Sequence, residues 1–299
     1  MSLRYRRDFF CIFLDMDNLF SLLPVTIYPL LPKNVKELRM RVGLPLSVYD
    51  GKKKAFVFDG EKPYIVTSSD VDYVLGKASG YSLYSVTDNL VDGFLSFAGG
   101  IRIGVSGEGV SAGDKVFNLK YPTSLVIRVP TEIKGKADEI AKKVIKNGEF
   151  KNLLVIAPPS GGKTTLLREI ARLASNDGFN VCVIDERREI AGAVKGVSGL
   201  DLGKSVDVIT GVKKLKAYEC AIRSMNPDVV VTDEIYGAEE VDAVLDAMRA
   251  GVKVAASLHA TGVSDLKNTV YEKLQRAMDI TVVLTKKNRV GEIKEIIGC

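Results

Sequence analysis

Apolar and polar positions divide the chain into two parts with different patterns. In the second part, short continuous apolar runs alternate with longer segments in which apolar residues recur at helical spacing. Continuous apolar runs are typical of parallel strands that are buried on both faces of a sheet. Strands are predicted at Leu153–Ile156, Val181–Asp185, Val229–Asp233 and Lys253–His259, with helices from Thr164 onward, at Lys214–Met225 and at Ala238–Ala250. The alternation predicts an α/β fold with a mostly parallel, doubly wound sheet, which ends in a hairpin of Ile280–Thr285 and Glu292–Ile297.

The first part, up to about Pro130, contains shorter apolar stretches that turn residues separate, a pattern typical of an α+β domain. Strands are predicted at Val35–Val42, Leu46–Tyr49, Ala55–Phe58, Tyr64–Val66, Gly99–Gly107 and Ser124–Val129, with Val116–Leu119 in a hairpin and helices at Asp70–Ala78 and Asp88–Phe97. Lys134–Lys136 is the predicted linker, and a helix at Ala137–Lys146 follows it. We therefore expect a smaller α+β domain over residues 1–133 and an α/β domain over residues 134–299.

The composition fits a globular protein, since 46% of its 299 residues are hydrophobic. The net charge of +5 does not require a polyanionic partner. The four cysteines have no C-x-x-C spacing, so neither a disulfide framework nor a zinc site is indicated, and a reducing, cytoplasmic compartment is expected. The apolar segment from Phe9 to Leu31 is interrupted by acidic residues and prolines, so it predicts no membrane span.

One loop carries the strongest chemical signal. It follows the predicted strand Leu153–Ile156, opens a helix at Thr164, and has the G-x-x-x-x-G-K-[ST] spacing with Ala157 in the first glycine position. Its glycines allow backbone N–H groups to face phosphate oxygens, and the helix start adds its positive dipole end. Lys163 would neutralise phosphates and Thr164 would ligate Mg²⁺. The predicted nucleotide-binding residues are Ala157, Pro158, Pro159, Ser160, Gly161, Gly162, Lys163, Thr164 and Thr165.

Acidic residues follow two of the predicted parallel strands, where ligands of such sheets bind. Asp233 and Glu234 end the strand Val229–Asp233; Asp233 is expected to hold the metal ion and Glu234 to orient or deprotonate a water molecule. Asp185 and Glu186 end another strand and are alternative candidates for positioning that water. The sequence does not decide among Asp185, Glu186 and Glu234 as the base.

A third strand ends in His259, the single histidine of the chain, which stands where a γ-phosphate could be sensed, with Ser257 as a companion. Further positive charge is expected at the transferring phosphoryl group. The candidates are Arg102, Arg128 and Arg223, any of which could act across a subunit interface.

Together these motifs resemble the Walker A, Asp box, Walker B and His box of secretion ATPases, and in particular the stage III sporulation protein AA family. The matching segments of the second domain are the loop at 157–164, Asp185–Gly192, Arg223–Asp228, Asp233–Ile235 and Ser257–Ala260. In the first domain they are Glu37–Pro45, Gly80–Ser85 and Gly99–Gly107, so the resemblance covers nearly the whole chain. One departure is Tyr236, where the wider secretion-ATPase pattern has Arg.

The resemblance implies a RecA-like P-loop NTPase that hydrolyses ATP with Mg²⁺ and assembles as a homo-oligomer, a hexamer. It implies a peripheral membrane location on the mother-cell side of a sporulation channel, with membrane proteins of that complex as partners. Arg102 and Arg128 match positions from which related motors deliver arginines to nucleotide. A nucleic-acid-binding or translocating NTPase is the alternative function, but the absence of Trp and of a basic segment interleaved with aromatic residues argues against nucleic acid as a partner. A third possibility is a scaffold that uses nucleotide only to assemble.

Overall fold

In the computed structural model, the chain divides into two compact units, Met1–Glu132 and Ile133–Cys299. The structure describes residues 16–81, 94–112, 115–130, 135, 137–194, 196–286 and 290–298. Across these ranges, no helix combines the length and the apolar character that crossing a membrane requires.

The N-terminal unit is built on an antiparallel sheet. Residues 16–22 are helical, and a 3₁₀ turn follows at Tyr28–Leu30. The strands are β1 (Glu37–Arg41), β2 (Ser47–Tyr49), β3 (Lys54–Phe56), β4 (Phe58–Asp59), β5 (Lys62–Pro63), β6 (Phe94–Phe97), β7 (Ile101–Ala112) and β8 (Lys115–Arg128), and helix α1 is Ser68–Ser79. Six strands form one sheet in the order β3-β2-β1-β8-β7-β6, and β4 pairs with β5.

One face of this N-terminal sheet is buried. In β1, Leu38 and Met40 are fully buried while the residues between and beside them are half-buried, which is the period-two pattern of a sheet with one covered face. The buried residues belong to one apolar cluster, to which α1 contributes Val71 and Val74. A capping box between Thr67 and Asp70 begins α1, because each residue's side chain accepts a hydrogen bond from the other's backbone N–H.

The C-terminal unit is built on a mostly parallel sheet. Its strands are β9 (Ile145–Lys146), β10 (Glu149–Phe150), β11 (Leu153–Ala157), β12 (Val181–Asp185), β13 (Val206–Thr210), β14 (Val229–Thr232), β15 (Lys253–His259), β16 (Ile280–Thr285) and β17 (Glu292–Ile297). Its helices are α2 (Asp138–Val144), α3 (Lys163–Asn176), α4 (Lys214–Cys220), α5 (Gly237–Arg249) and α6 (Val270–Ala277), with a π-helical turn at Ala221–Met225 and a 3₁₀ turn at Val263–Leu266. The main sheet has the order β13-β12-β14-β15-β11-β16-β17, and β17 alone in it is antiparallel to its neighbour.

Both faces of this parallel sheet are covered. Every residue of β11, β12 and β14 is buried, and their side chains divide between two apolar clusters on opposite sides of the sheet. Since β12, β14, β15 and β11 are adjacent, their carboxyl ends meet at one edge. That edge brings together the loop after β11 and the polar residues that follow the other three strands.

Several sequence predictions differ from the structure. The predicted helix Asp88–Phe97 is wrong at its described end, because Phe94–Phe97 forms β6 and pairs with β7; residues 88–93 lie outside the described residues. Tyr64–Val66 is not a strand, and only Ile65 makes a bridge, to Pro45. The predicted helix Lys214–Met225 leaves α-helical geometry after Cys220. The linker residues 134 and 136 also lie outside the described residues.

Candidate functional site

The loop between β11 and α3 has the geometry of a phosphate cradle. Gly162 has a φ of +94° and begins α3 without a side-chain cap, and no acidic residue occupies the first turn of that helix. A Cβ added to Gly161 would lie 2.7 Å from the Ala157 methyl group, which is itself fully buried. The loop therefore accepts Ala157 because residue 161 has no side chain, and the N–H groups at the start of α3 are not used by a cap.

Lys163 is connected to Glu234 through His259. The Lys163 Nζ lies 3.1 Å from His259 Nδ1, and His259 Nε2 lies 2.8 Å from Glu234 Oε1. An ammonium group can only donate, so Nδ1 accepts from Lys163, and Nε2 carries the proton that is donated to Glu234. Lys163 is almost completely buried, and this burial lowers its pKa, although Asp233, Glu234 and Glu189 partly offset the effect. Three residues from three separate motifs thus form one chain of contacts.

Glu234 also forms an ion pair with Arg187, whose Nη1 lies 2.7 Å from Glu234 Oε2. Burial tends to raise the pKa of Glu234, but the contact with His259, together with the charges of Arg187 and Lys163, outweighs burial and leaves that pKa below its ordinary value. Glu234 is therefore held as a carboxylate between two cationic or donating side chains. It also has a φ of +49°, a left-handed conformation that is unusual for a residue with a Cβ.

Asp233 accepts hydrogen bonds from two hydroxyl groups. The Thr164 hydroxyl at the start of α3 donates to Asp233 Oδ2, and the fully buried Ser257 hydroxyl of β15 donates to Asp233 Oδ1. The same Ser257 oxygen accepts the Glu234 N–H at 3.0 Å. The Thr164 and Asp233 oxygens, which we expected to share a metal ion, are thus in contact with each other.

The two acids that follow β12 differ in their surroundings. Asp185 is buried and accepts from the backbone N–H groups of Glu189 at 2.7 Å and Ala191 at 2.8 Å. Burial raises the pKa of Asp185, and these backbone hydrogen bonds only partly oppose the shift. Glu186 is exposed. The carboxylate of Asp185 therefore organises the loop that follows its own strand.

Arg168 of α3 holds the same loop from the other side. Its guanidinium donates to the carbonyl of Ile190 at 2.6 Å and to that of Glu189 at 2.7 Å. This loop, residues 186–192, also contains Arg187, so its fixed backbone places the partner of Glu234. The loop after β12 is thus tied to the helix that begins at the phosphate cradle.

An apolar cleft lies beside the cradle. It is lined by α2, the start of α3 and the terminal hairpin of β16 and β17. Its lining residues are Ile140, Gly162, Thr165, Leu166, Leu284, Val290, Gly291 and Ile293. The hairpin also contacts the loop directly, since Lys286 Nζ donates to the Pro159 carbonyl at 3.2 Å. This side of the cradle is closed by the C-terminal strands.

The arginine candidates occupy different places. Arg102 and Arg128 lie in the N-terminal unit, opposite each other on β7 and β8. Arg102 lies over the Phe94 ring at 5.5 Å from its centroid, and the Arg128 side chain, 70% exposed, is 3.6 Å from Glu37. Arg223 lies in the π-helical turn that leads into the amino end of β14, whereas Asp233 follows the carboxyl end of that strand.

Sequence reasoning missed two contributors to the site. In the sequence Arg187 stands out only as part of a motif, because its contact with Glu234 depends on the fold of the loop after β12. Lys214, at the start of α4, donates to the Glu234 carbonyl at 2.5 Å and had no motif to indicate it. An isolated lysine at a helix start is common, so the sequence offers no signal for Lys214.

The chain is similar to known proteins of a sporulation family. The family described as "Sporulation stage III, protein AA" matches residues 23–298. Stage III sporulation protein AA of Bacillus subtilis (strain 168) is 32% identical over 270 residues, which cover 88% of this chain and 86% of that protein.

Two solved structures show the same fold. The pilus retraction motor PilT with bound ADP has a TM-score of 0.59 and 16% identity, covering 83% of this chain and 74% of PilT. The ATPase DotB of Legionella pneumophila has a TM-score of 0.52 and 14% identity, covering 84% of this chain and 72% of DotB. These matches confirm the predicted fold class, an α/β P-loop domain after a smaller N-terminal domain. The chain belongs to the Sporulation stage III, protein AA family.

Proposed function

We propose that this chain hydrolyses ATP with Mg²⁺, and that hydrolysis powers or gates a sporulation channel complex between mother cell and forespore. One observation carries the proposal: Lys163, His259 and Glu234 form a continuous chain of contacts at the carboxyl edge of the parallel sheet. Phosphate binding by Lys163 and deprotonation of a water by Glu234 need these two side chains at one site. The proposal therefore depends on the contacts among the side chains as well as on the sequence motif.

The phosphate groups of the nucleotide would bind at the loop of residues 157–164. The unused N–H groups at the start of α3 supply donors, the helix dipole supplies partial positive charge, and Lys163 supplies a full charge. The lowered pKa of Lys163 reflects the cost of burying that charge, and a bound anion would offset this cost.

The residues present fit a magnesium ion. Thr164 and Asp233 offer one hydroxyl and one carboxylate oxygen in mutual contact, and oxygen donors of this kind suit Mg²⁺. Among the residues that the structure describes, no group of three or more His, Cys, Asp and Glu residues could hold a metal alone. That fits an ion which takes its remaining ligands from phosphates and water, where it would neutralise developing charge.

The reaction assigns a distinct role to each remaining group. Glu234, with its lowered pKa, is the group that orients or deprotonates the attacking water. His259 contacts both Lys163 and Glu234. A change in the contacts of the phosphate-binding lysine would therefore alter the hydrogen bond that Glu234, the proposed base, accepts from His259. Asp185 keeps the loop of Arg187 in place, and we assign it this supporting role. Glu186 is exposed and is the weaker candidate.

The nucleobase would lie in the apolar cleft beside the cradle. Leu284, Ile293 and Ile140 provide apolar surface next to Thr165, the residue that follows the proposed metal ligand. Planar bases bind readily to apolar surface, and pockets for such ligands are mostly apolar.

Assembly would complete the motor. We propose a homo-oligomer, a hexamer, in which Arg102 or Arg128 reaches the nucleotide and shifts of the N-terminal unit accompany phosphate release. Family membership supports membrane proteins of a sporulation complex as partners and a peripheral location on the mother-cell side. The pilus retraction motor PilT and the ATPase DotB have the same fold, which supports the energy-converting role.

The test compares two lysine variants of the purified 299-residue chain. Lys163→Ala should weaken ATP binding by about 100-fold or more, because the charge-assisted contacts to phosphate are lost. Lys253→Ala removes an exposed lysine from the opposite edge of the same sheet and should bind ATP as the wild type does. Binding is measured by calorimetry and turnover by phosphate release. Equal ATP affinity in the two variants would refute the proposed site.

A further inference from the structure

The backbone at Glu234 is held in an unusual conformation by contacts on both sides. Its φ of +49° lies in the left-handed region, where a residue with a Cβ is strained. On the amide side of this torsion, the Glu234 N–H donates to Ser257 Oγ at 3.0 Å. On the carbonyl side, the Glu234 C=O accepts a hydrogen bond from Lys214 Nζ at 2.5 Å. Such a conformation persists only when surrounding groups determine it, and these two contacts do so.

Lys214 is itself fixed by a partly buried acid. Its Nζ lies 3.2 Å from Glu240 Oε2 of α5, and the two side chains are only 11% and 19% exposed. The same Glu240 oxygen accepts the Tyr236 N–H at 2.9 Å. Lys214 and Glu240 therefore form hydrogen bonds with two backbone groups of the segment 234–236, the Glu234 carbonyl and the Tyr236 N–H. A charge pair with this little exposure holds a defined geometry, whereas an exposed pair does not.

We propose that Lys214 is a positioning residue for the reaction, which fixes the left-handed backbone of Glu234 through its carbonyl and so aims the carboxylate at the nucleotide site. The proposal rests on the function proposed above. Lys214 touches neither the phosphate-binding loop nor Asp233 in any contact of the described residues, so its effect must pass through Glu234. Glu240 supports it by holding the ammonium group in place.

The kinetic test separates chemistry from binding. Lys214→Met keeps the length of the side chain and removes the donor, so kcat should fall about 10- to 100-fold, because small misplacement of a catalytic group costs this much. The Kd for ATP should stay within about twofold, since Lys163 and the loop are unchanged. Lys214→Arg, which keeps a charged donor, should recover part of the lost rate.

The matched control is Lys216→Met on the same helix. Lys216 pairs with Glu219 on the exposed surface, and both side chains are more than half exposed, so this variant makes the same chemical change without touching Glu234. Its kcat should equal that of the wild type. If Lys214→Met does not fold, as judged by circular dichroism, Glu240→Gln provides the same test, with a smaller expected fall in kcat.

A double variant gives the decisive result. In the Glu234→Gln background, Lys214→Met should cause no further loss of kcat, because the lysine acts only through Glu234. Independent, multiplicative losses, an unchanged kcat in Lys214→Met, or a weaker ATP affinity with unchanged kcat would each overturn the proposal. Failure of the proposed function looks different: neither the wild type nor Lys216→Met would then hydrolyse ATP.

Discussion

The two sheets of this protein place their polar residues in different ways. The C-terminal sheet is buried on both faces, so the charged groups of its central strands stand at the edge where those strands end. The N-terminal sheet is buried on one face only, and its charged residues lie along the other face, as with Glu37, Arg128 and Arg102 on three neighbouring strands. A covered parallel sheet therefore concentrates its chemistry at one edge, whereas a half-covered sheet spreads it over a surface.

This comparison predicts that shortening an apolar side chain destabilises the C-terminal sheet more than the open face of the N-terminal sheet. Ile156→Ala in β11 should lower the free energy of unfolding by about 2–5 kcal/mol, because it leaves a cavity in a fully packed core. Val126→Ala, at a half-buried position on the open face of β8, should cost less than about 1 kcal/mol. Urea denaturation followed by circular dichroism measures each loss in the transition of the unit that carries the substitution. Similar losses at the two positions would contradict the distinction between the sheets.

At the edge of the parallel sheet, a substitution is expected to lower the free energy of unfolding by an intermediate amount. Asp185→Asn should lower the free energy of unfolding by about 1–3 kcal/mol, because an amide can accept only one of the two backbone hydrogen bonds and its NH₂ group would face the other N–H. Thermal and urea unfolding check this value. A neutral effect would show that the loop of residues 186–192 does not depend on Asp185.

The cost of Asp185→Asn should also depend on pH. The native pKa of Asp185 lies above its ordinary value of 3.8, so the native state takes up this proton before the unfolded state as the pH falls. The stability that this group contributes therefore rises as the pH falls through the native pKa and is complete below 3.8. The gap between wild type and Asp185→Asn should widen toward acid pH in unfolding experiments at a series of pH values. A gap that narrows would mean that the pKa is lowered instead.

The smallest effect on the free energy of unfolding is expected on the open face of the N-terminal sheet. Glu37→Gln removes the charge that faces Arg39 at 2.6 Å and Arg128 at 3.6 Å, yet it should change the free energy of unfolding by less than about 1 kcal/mol, because water screens these partly exposed pairs. Salt titration of the unfolding midpoint is a sensitive check. A loss as large as that of Ile156→Ala would show that this face is not solvated.

The same contrast explains how much of the fold the sequence predicts. Val181–Asp185, Lys253–His259 and both strands of the terminal hairpin have the predicted bounds, because long apolar runs leave few alternatives. Val206–Thr210 was missed because it lies at the edge of the sheet, is only partly buried and includes the exposed Asp207. Helix α6 was missed as well, since it has only eight residues and only Leu274 among them is buried.

In the N-terminal unit, short strands leave more to tertiary contacts. Phe94–Phe97 has two aromatic residues at a spacing that also fits a helix, and only its pairing with β7 makes it a strand. The residues of the candidate site also divide into those that the sequence predicts and those that it does not. Residues at strand ends, such as Asp233 and His259, were identifiable because strand direction places them, whereas Lys214 comes from a helix 20 residues earlier in the chain, whose approach to Glu234 no local pattern specifies.

We propose that the carboxyl edge of the parallel sheet hydrolyses a nucleotide, with Glu234 as the base. The most direct measurement is ATP turnover by wild type, Glu234→Gln and the control Glu239→Gln, which alters an exposed acid of α5. We expect Glu234→Gln to bind ATP normally and to lose about 100-fold or more in turnover, and Glu239→Gln to match the wild type. Equal turnover in all three proteins would contradict the account.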